Sequence, residues 1–90
     1  MKIYVVNYKE TSIDTDNVMN VESGVFEVGY NTEDEAIKKI DEVCNDKMNE
    51  FIDDIENEDC SHECNDNRDW QMVKHFGDKF EYWVTMVIVD

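Results

Sequence analysis

One apolar stripe constrains the fold more than any other feature of the sequence. Ala36, Ile37, Ile40, Val43, Cys44, Met48, Phe51, Ile52 and Ile55 recur mostly at three- and four-residue steps, which gathers them on one side of an α-helix of about five turns. A helix of this kind owes its stability to packing that stripe on a partner, so the rest of the chain must supply an apolar surface. Thr32-Glu33-Asp34-Glu35 marks the start: it fits a capping box, in which the Thr hydroxyl and the Glu35 carboxylate satisfy N–H groups left over in the first turn. No glycine marks the end, and the pattern fades between Asn57 and Cys60.

The partner surface is predicted to be a sheet. Lys2–Lys9 is rich in β-branched and aromatic residues, and in Val25–Tyr30 the side chains of Phe26, Val28 and Tyr30 alternate onto one face, both patterns of strands. The polar stretch Glu10–Gly24 between them reads as a long connection. Asp69–Phe76 and Lys79–Val89 flank Gly77-Asp78, a loop suited to a tight hairpin. That turn would set His75 against Phe80, Lys74 against Glu81, Val73 against Tyr82 and Met72 against Trp83. The order is then ββαββ: an α+β fold with a four-stranded, mainly antiparallel sheet and one long amphipathic helix across one face. At 90 residues with no internal linker, the chain reads as a single acidic domain over residues 1–90.

Charge narrows the function. The 23 Asp and Glu against 8 Lys and Arg leave a formal net charge of −15, which repels nucleic acid and anionic membranes. Hydrophobic residues make up 41% of the chain, enough to supply a core rather than a disordered acidic tail. The short apolar run at the start, the lack of any membrane-length apolar stretch and the odd cysteine count lead to the expectation of a cytoplasmic protein.

Enzyme signatures are lacking. The three glycines are scattered and form no phosphate loop or nucleophile elbow, so neither catalytic residues nor a cofactor is expected. Cys60-Ser61-His62-Glu63-Cys64 gathers thiols and an imidazole within five residues; Cys60, His62 and Cys64 are weak zinc candidates, with Cys44 or His75 as a fourth ligand. Structural zinc sites usually carry two separated ligand pairs, and an incidental loop is the plainer reading. The acidic surroundings also disfavour a reactive thiolate. Asp14 and Asp16 hint at a calcium loop, but Val18 and Met19 break that pattern.

The carboxylates need their own explanation. Fourteen of them, with three lysines, lie between Asn31 and Asp66. On a helical wheel Glu35, Glu42, Asp46, Asn49, Asp53 and Glu56 fall opposite the apolar stripe, with Glu50 at its margin. From Glu35 to Glu56 this ridge would span about 31 Å, along which a DNA strand shows roughly nine phosphates. Like charges at i and i+4 work against the helix; the ridge serves either solubility or a basic partner. Trp70, Met72 and Trp83 share the other notable surface. They are core if the helix packs on their side, and a partner or dimer face if it packs on the side of Phe80 and Tyr82.

With its short strand Ile3-Tyr4-Val5-Val6, its strand-to-helix segment Val25–Ala36 and the acidic helix that follows, the chain resembles the small anti-defence proteins of phages and mobile elements, especially anti-CRISPR proteins and other DNA mimics. The resemblance covers about the first two-thirds of the chain and transfers no individual site residue. It implies a non-enzymatic inhibitor that occupies the basic groove of a host defence nuclease, a type II CRISPR effector above all, and blocks DNA binding from within the host cytosol. The ridge residues Glu42, Asp46, Glu50, Asp53 and Glu56, with Glu58 and Asp59 in the following loop, are then the partner-binding set. The alternative is a structural or regulatory interaction module working through Trp70, Met72 and Trp83, with acidity serving solubility.

Overall fold

Alternation in the N-terminal strand is what builds the core. In the computed structural model, which describes residues 1–14, 16–53 and 59–89, β1 (Lys2–Ile13) turns Tyr4, Val6 and Tyr8 to one side of a sheet. Strand β2 (Met19–Tyr30) folds back on it antiparallel. The helix α1 (Glu33–Glu50) follows, and then β3 (Cys60–Cys64), β4 (Trp70–His75) and β5 (Asp78–Ile88). The sheet order is β2-β1-β5-β4-β3, with every neighbouring pair antiparallel. The helix therefore connects the two edge strands and covers the sheet face between them. Among the described residues, no helix is long and apolar enough to cross a membrane.

Five strands in the order ββαβββ replace the expected four in the order ββαββ. The strand missed is β3, which lies where an incidental loop was expected. Of its residues only Cys60 is buried, so it carries no hydrophobic signature; its pairing with β4 makes it a strand. The polar connection Glu10–Gly24 is likewise mostly strand. Here β1 and β2 continue as a ladder from Tyr8↔Gly24 to Ile13↔Met19. The Asp14 carboxylate that hinted at calcium accepts hydrogen bonds from the N–H groups of Asp16 and Val18 at the turn, both at 2.9 Å.

The final hairpin also pairs differently. His75 faces Asp78, Val73 faces Phe80, Gln71 faces Tyr82 and Trp70 faces Trp83, so Phe76-Gly77 forms the loop rather than Gly77-Asp78. Phe76 adopts φ 54°, a left-handed conformation costing about 1–2 kcal/mol for an L-residue. The gain lies along the ladder, where Val73 pairs with Phe80 over the core and Trp70 pairs with Trp83 on the opposite face. Each residue keeps its face, because partners shift by two positions.

Helix α1 begins as its sequence demands. The Thr32 hydroxyl accepts from the Glu35 N–H at 3.2 Å, and Glu33, Asp34 and Glu35 occupy the first turn, where the helix dipole favours negative charge. The reciprocal contact of a capping box, from the Glu35 carboxylate back to Thr32, is absent among the described residues. Ala36, Ile40 and Cys44 are the buried helix positions and form a core with Val6, Cys60, Val73 and Tyr82. The C-cap is Phe51, whose ring stacks on His75 with centroids 3.8 Å apart. The helix thus ends sooner than the apolar pattern implied: Ile52 is 56% exposed, and Ile55 lies outside the described residues.

This packing has a direct check. Ile40 is fully buried, so Ile40→Ala is expected to lower the unfolding free energy by about 2–5 kcal/mol in urea titrations. Ile52→Ala, on the exposed side, is expected to stay within about 0.5 kcal/mol of the parent. Equal costs at the two positions would show that the helix buries a different face.

Candidate functional site

The helix has an apolar side against the sheet and an acidic side toward solvent, as its 3.6-residue period requires. Glu35, Glu42, Asp46 and Glu50 are exposed along α1, and Asp53 beyond the C-cap and Asp59 before β3 are exposed as well. Glu56 and Glu58 lie outside the described residues. With α1 ending at Glu50, the helical part of the ridge, Glu35 to Glu50, is about 22 Å long, matching roughly six or seven phosphates of one strand rather than nine. Two lysines border it: Lys39 approaches Glu42 and Lys47 approaches Glu50, each at 3.8 Å. These pairs are solvent-exposed and contribute little to stability.

Packing of α1 on the Phe80 and Tyr82 side leaves Trp70, Met72 and Trp83 on the helix-free face. The two tryptophans oppose each other directly across β4 and β5 and are half-buried. The Trp70 indole N–H donates to Glu81 at 3.5 Å. Met72, between flanking strands, is only 7% exposed. Asn7 on neighbouring β1 donates to the Trp83 carbonyl at 3.4 Å and also to the Thr85 hydroxyl. The Trp70 indole is thus tied to β5 and the Trp83 backbone to β1, and each indole still shows part of its surface.

Cys60, His62 and Cys64 alternate along β3, toward the helix side of the sheet. An extended strand advances about 3.3 Å per residue, which sets Cys60 and Cys64 about 13 Å apart, too far for a shared ion. Among the described residues no group of three or more His, Cys, Asp or Glu side chains is arranged to hold a metal. Cys60 instead points its thiol at the Met48 sulfur, 3.7 Å away.

His62 joins a network that composition and spacing gave no reason to expect. Gln71 is fully buried; its amide N–H donates to Asp41 at 2.6 Å and to the Arg68 carbonyl at 3.0 Å, and its Oε1 lies 2.8 Å from His62 Nε2. With the amide nitrogen so committed, the Oε1 is the acceptor and His62 the donor. Arg68, itself in a left-handed conformation at φ 63°, donates to the same Asp41 oxygen from Nε at 3.2 Å and from Nη2 at 2.8 Å. Burial acts to raise the Asp41 pKa, but the hydrogen bonds from Gln71 and Arg68 and the Arg68 charge outweigh it and lower the value. A cavity of about 360 Å³ opens beside this network and includes Cys44 and Cys64. Burial, and then the Asp41 charge, push the Cys44 thiol up to about 11, so it is protonated and a poor nucleophile near neutral pH. The one signal available in the sequence was a glutamine at an inward-facing strand position between Trp70 and Met72.

Comparison with protein-family models, with curated proteins and with solved structures finds no match to this chain.

The network around the buried Gln71 should show in stability. Gln71→Ala strips partners from Asp41, the Arg68 carbonyl and His62 and is expected to cost about 1–3 kcal/mol. A folded-state pKa below the unfolded one means that ionised Asp41 stabilises the protein above about pH 4, and that this contribution fades as pH falls further. Thermal melts from about pH 5 downward are therefore expected to decline less steeply for Asp41→Asn than for the parent. Parallel declines would show that Asp41 adds nothing to acid sensitivity.

Proposed function

We propose that this protein is a non-catalytic inhibitor which acts in the cytosol and presents the outer face of α1 to the basic nucleic-acid groove of a host defence nuclease. Its carboxylates stand in for DNA phosphates. The observation carrying the proposal is the exposed row Glu35, Glu42, Asp46 and Glu50 on a helix backed along its length by a sheet. A backed helix loses little conformational freedom on binding, which favours affinity. The net charge of −15 supplies long-range attraction to a basic groove, and displacing phosphates from such a groove requires a comparable density of negative charge.

A guide-loaded type II CRISPR nuclease is the first target to test. Target-DNA binding is measured with and without the protein at about 50 and 200 mM salt, the range in which phosphate-like contacts weaken strongly. The expected result is a block that weakens as salt rises and falls by about tenfold or more in the triple variant Glu42→Lys, Asp46→Lys, Asp53→Lys, with the circular dichroism spectrum unchanged. A block of equal strength in that variant would refute charge imitation.

A second reading, an interaction module working through the sheet, is favoured by the pairing of Trp70 and Trp83 on the face the helix leaves uncovered. It requires association that is insensitive to salt and to the triple reversal, but lost in Trp83→Ser.

A further inference from the structure

Strands β1 and β2 contain a pairing that works against the sheet: Glu10 stands directly opposite Glu22. Like charges so placed destabilise an antiparallel pair, and among the described residues neither carboxylate has an ion-pair partner. Both line a groove of about 720 Å³ between α1 and the β1–β2 hairpin, with an aromatic floor made by Tyr8, Phe26 and Tyr82. The Tyr8 and Phe26 rings lie 5.6 Å apart, and Phe26 and Tyr82 6.2 Å apart.

Tyr82 gives an independent indication of a guest. The residue is only 2% exposed, and its hydroxyl makes no hydrogen bond to any described residue. Fully buried polar side-chain atoms without a partner do not occur among the described residues, so the hydroxyl is the part of Tyr82 that opens into the groove. Burial, and then the Glu10 charge, raise its pKa and keep the phenol neutral. On the helix wall Lys39 and Lys47 are turned to Glu42 and Glu50, and Lys47 also lies over the Phe80 ring at 4.6 Å. The carboxylates that line the groove without an ion-pair partner among the described residues are Glu10, Glu22 and Glu27, and of these Glu10 and Glu22 are the directly opposed pair.

We propose that this groove binds an arginine side chain of a protein partner, its guanidinium held by Glu10 and Glu22 over the Tyr8 and Phe26 rings. Arginine fits better than lysine because a planar, weakly hydrated fork can bridge two carboxylates and lie flat on an aromatic surface at once. The Tyr82 hydroxyl then accepts an N–H that neither carboxylate reaches. The site rests on the β1–β2 hairpin and not on the outer face of α1, so it stands or falls separately from the charge-imitation reading.

The test is a titration of the full chain with ethylguanidinium, followed by the aromatic ¹H–¹³C resonances. Saturable shifts concentrated at Tyr8, Phe26 and Tyr82 are expected. The apparent affinity should fall about tenfold in Glu10→Gln and in Glu22→Gln and stay unchanged in Asp66→Asn, at an exposed position away from the groove. Because either glutamine removes a like-charge contact, both variants are expected to melt at or above the parent temperature, which separates lost binding from misfolding. Ethylammonium is expected to bind more weakly than ethylguanidinium. Linear shifts scattered over the chain, affinity retained in the glutamine variants, equal response to the two cations, or a lower melting temperature in both variants would each overturn the assignment.

Discussion

The contact of Ile40 with the surface formed by Val6, Val73 and Tyr82 is the hinge of the whole architecture. Those three residues come from β1, β4 and β5, and Ile40 joins them in one buried cluster because the helix lies across these strands. Together with Ala36 and Cys44, one turn to either side, Ile40 sets the rotation of α1. Once that rotation is set, the carboxylates half a turn away must face water. Burying an isobutyl-sized side chain contributes about 1.5–3 kcal/mol, more than the few tenths of a kcal/mol that each repelling i,i+4 carboxylate pair costs. The acidic surface is tolerable because the apolar one beneath it packs well.

Three surfaces follow from that placement. The outer helix face is negative and exposed; the helix-free sheet face carries the two indoles; the groove beside β2 holds two opposed glutamates above aromatic rings. On the far side of α1, Asp41, Gln71, Arg68 and His62 close the space between the helix and the β3–β4 hairpin with a chain of satisfied hydrogen bonds. A buried amide without those partners would be costly, and this chain supplies them from a helix, a strand and a loop. The network ties the loop before β4 to the helix, while the apolar core does the same for the strands.

The elements easiest to read in the sequence were those with a local signature. The Thr32 cap and the spacing of Ala36, Ile40 and Cys44 announced the helix, and the β-branched and aromatic composition of Lys2–Lys9 and the alternation of Phe26, Val28 and Tyr30 announced strands. Strand β3 left no such trace, since an edge strand buried at one residue needs no apolar rhythm and its hydrogen bonds come from β4. The turn at Phe76 misled for a related reason: glycine at the next position suits a tight loop, but register is decided by what meets along the ladder, at Trp70 with Trp83 and Val73 with Phe80. The ridge residues on α1 could be assigned from the helical wheel alone. The pairing of Glu10 with Glu22 could not, because both fell in a stretch whose composition spoke of a loop.

Sequence by itself thus determined the amphipathic helix, its capped start, its acidic outer side and the strong net charge, all of which depend on residues a few positions apart. Tertiary structure alone decided which sheet face the helix covers, hence that the half-buried tryptophans lie on the helix-free face and Tyr82 lies buried. It also decided that the polar segment after β1 becomes a long hairpin, and that Cys60 and Cys64 are held apart on a strand. The physical reason is the range of the interactions. Helical hydrogen bonds and caps are closed within one turn of chain, whereas a strand's hydrogen bonds and the two faces of a sheet are completed only by segments distant in sequence.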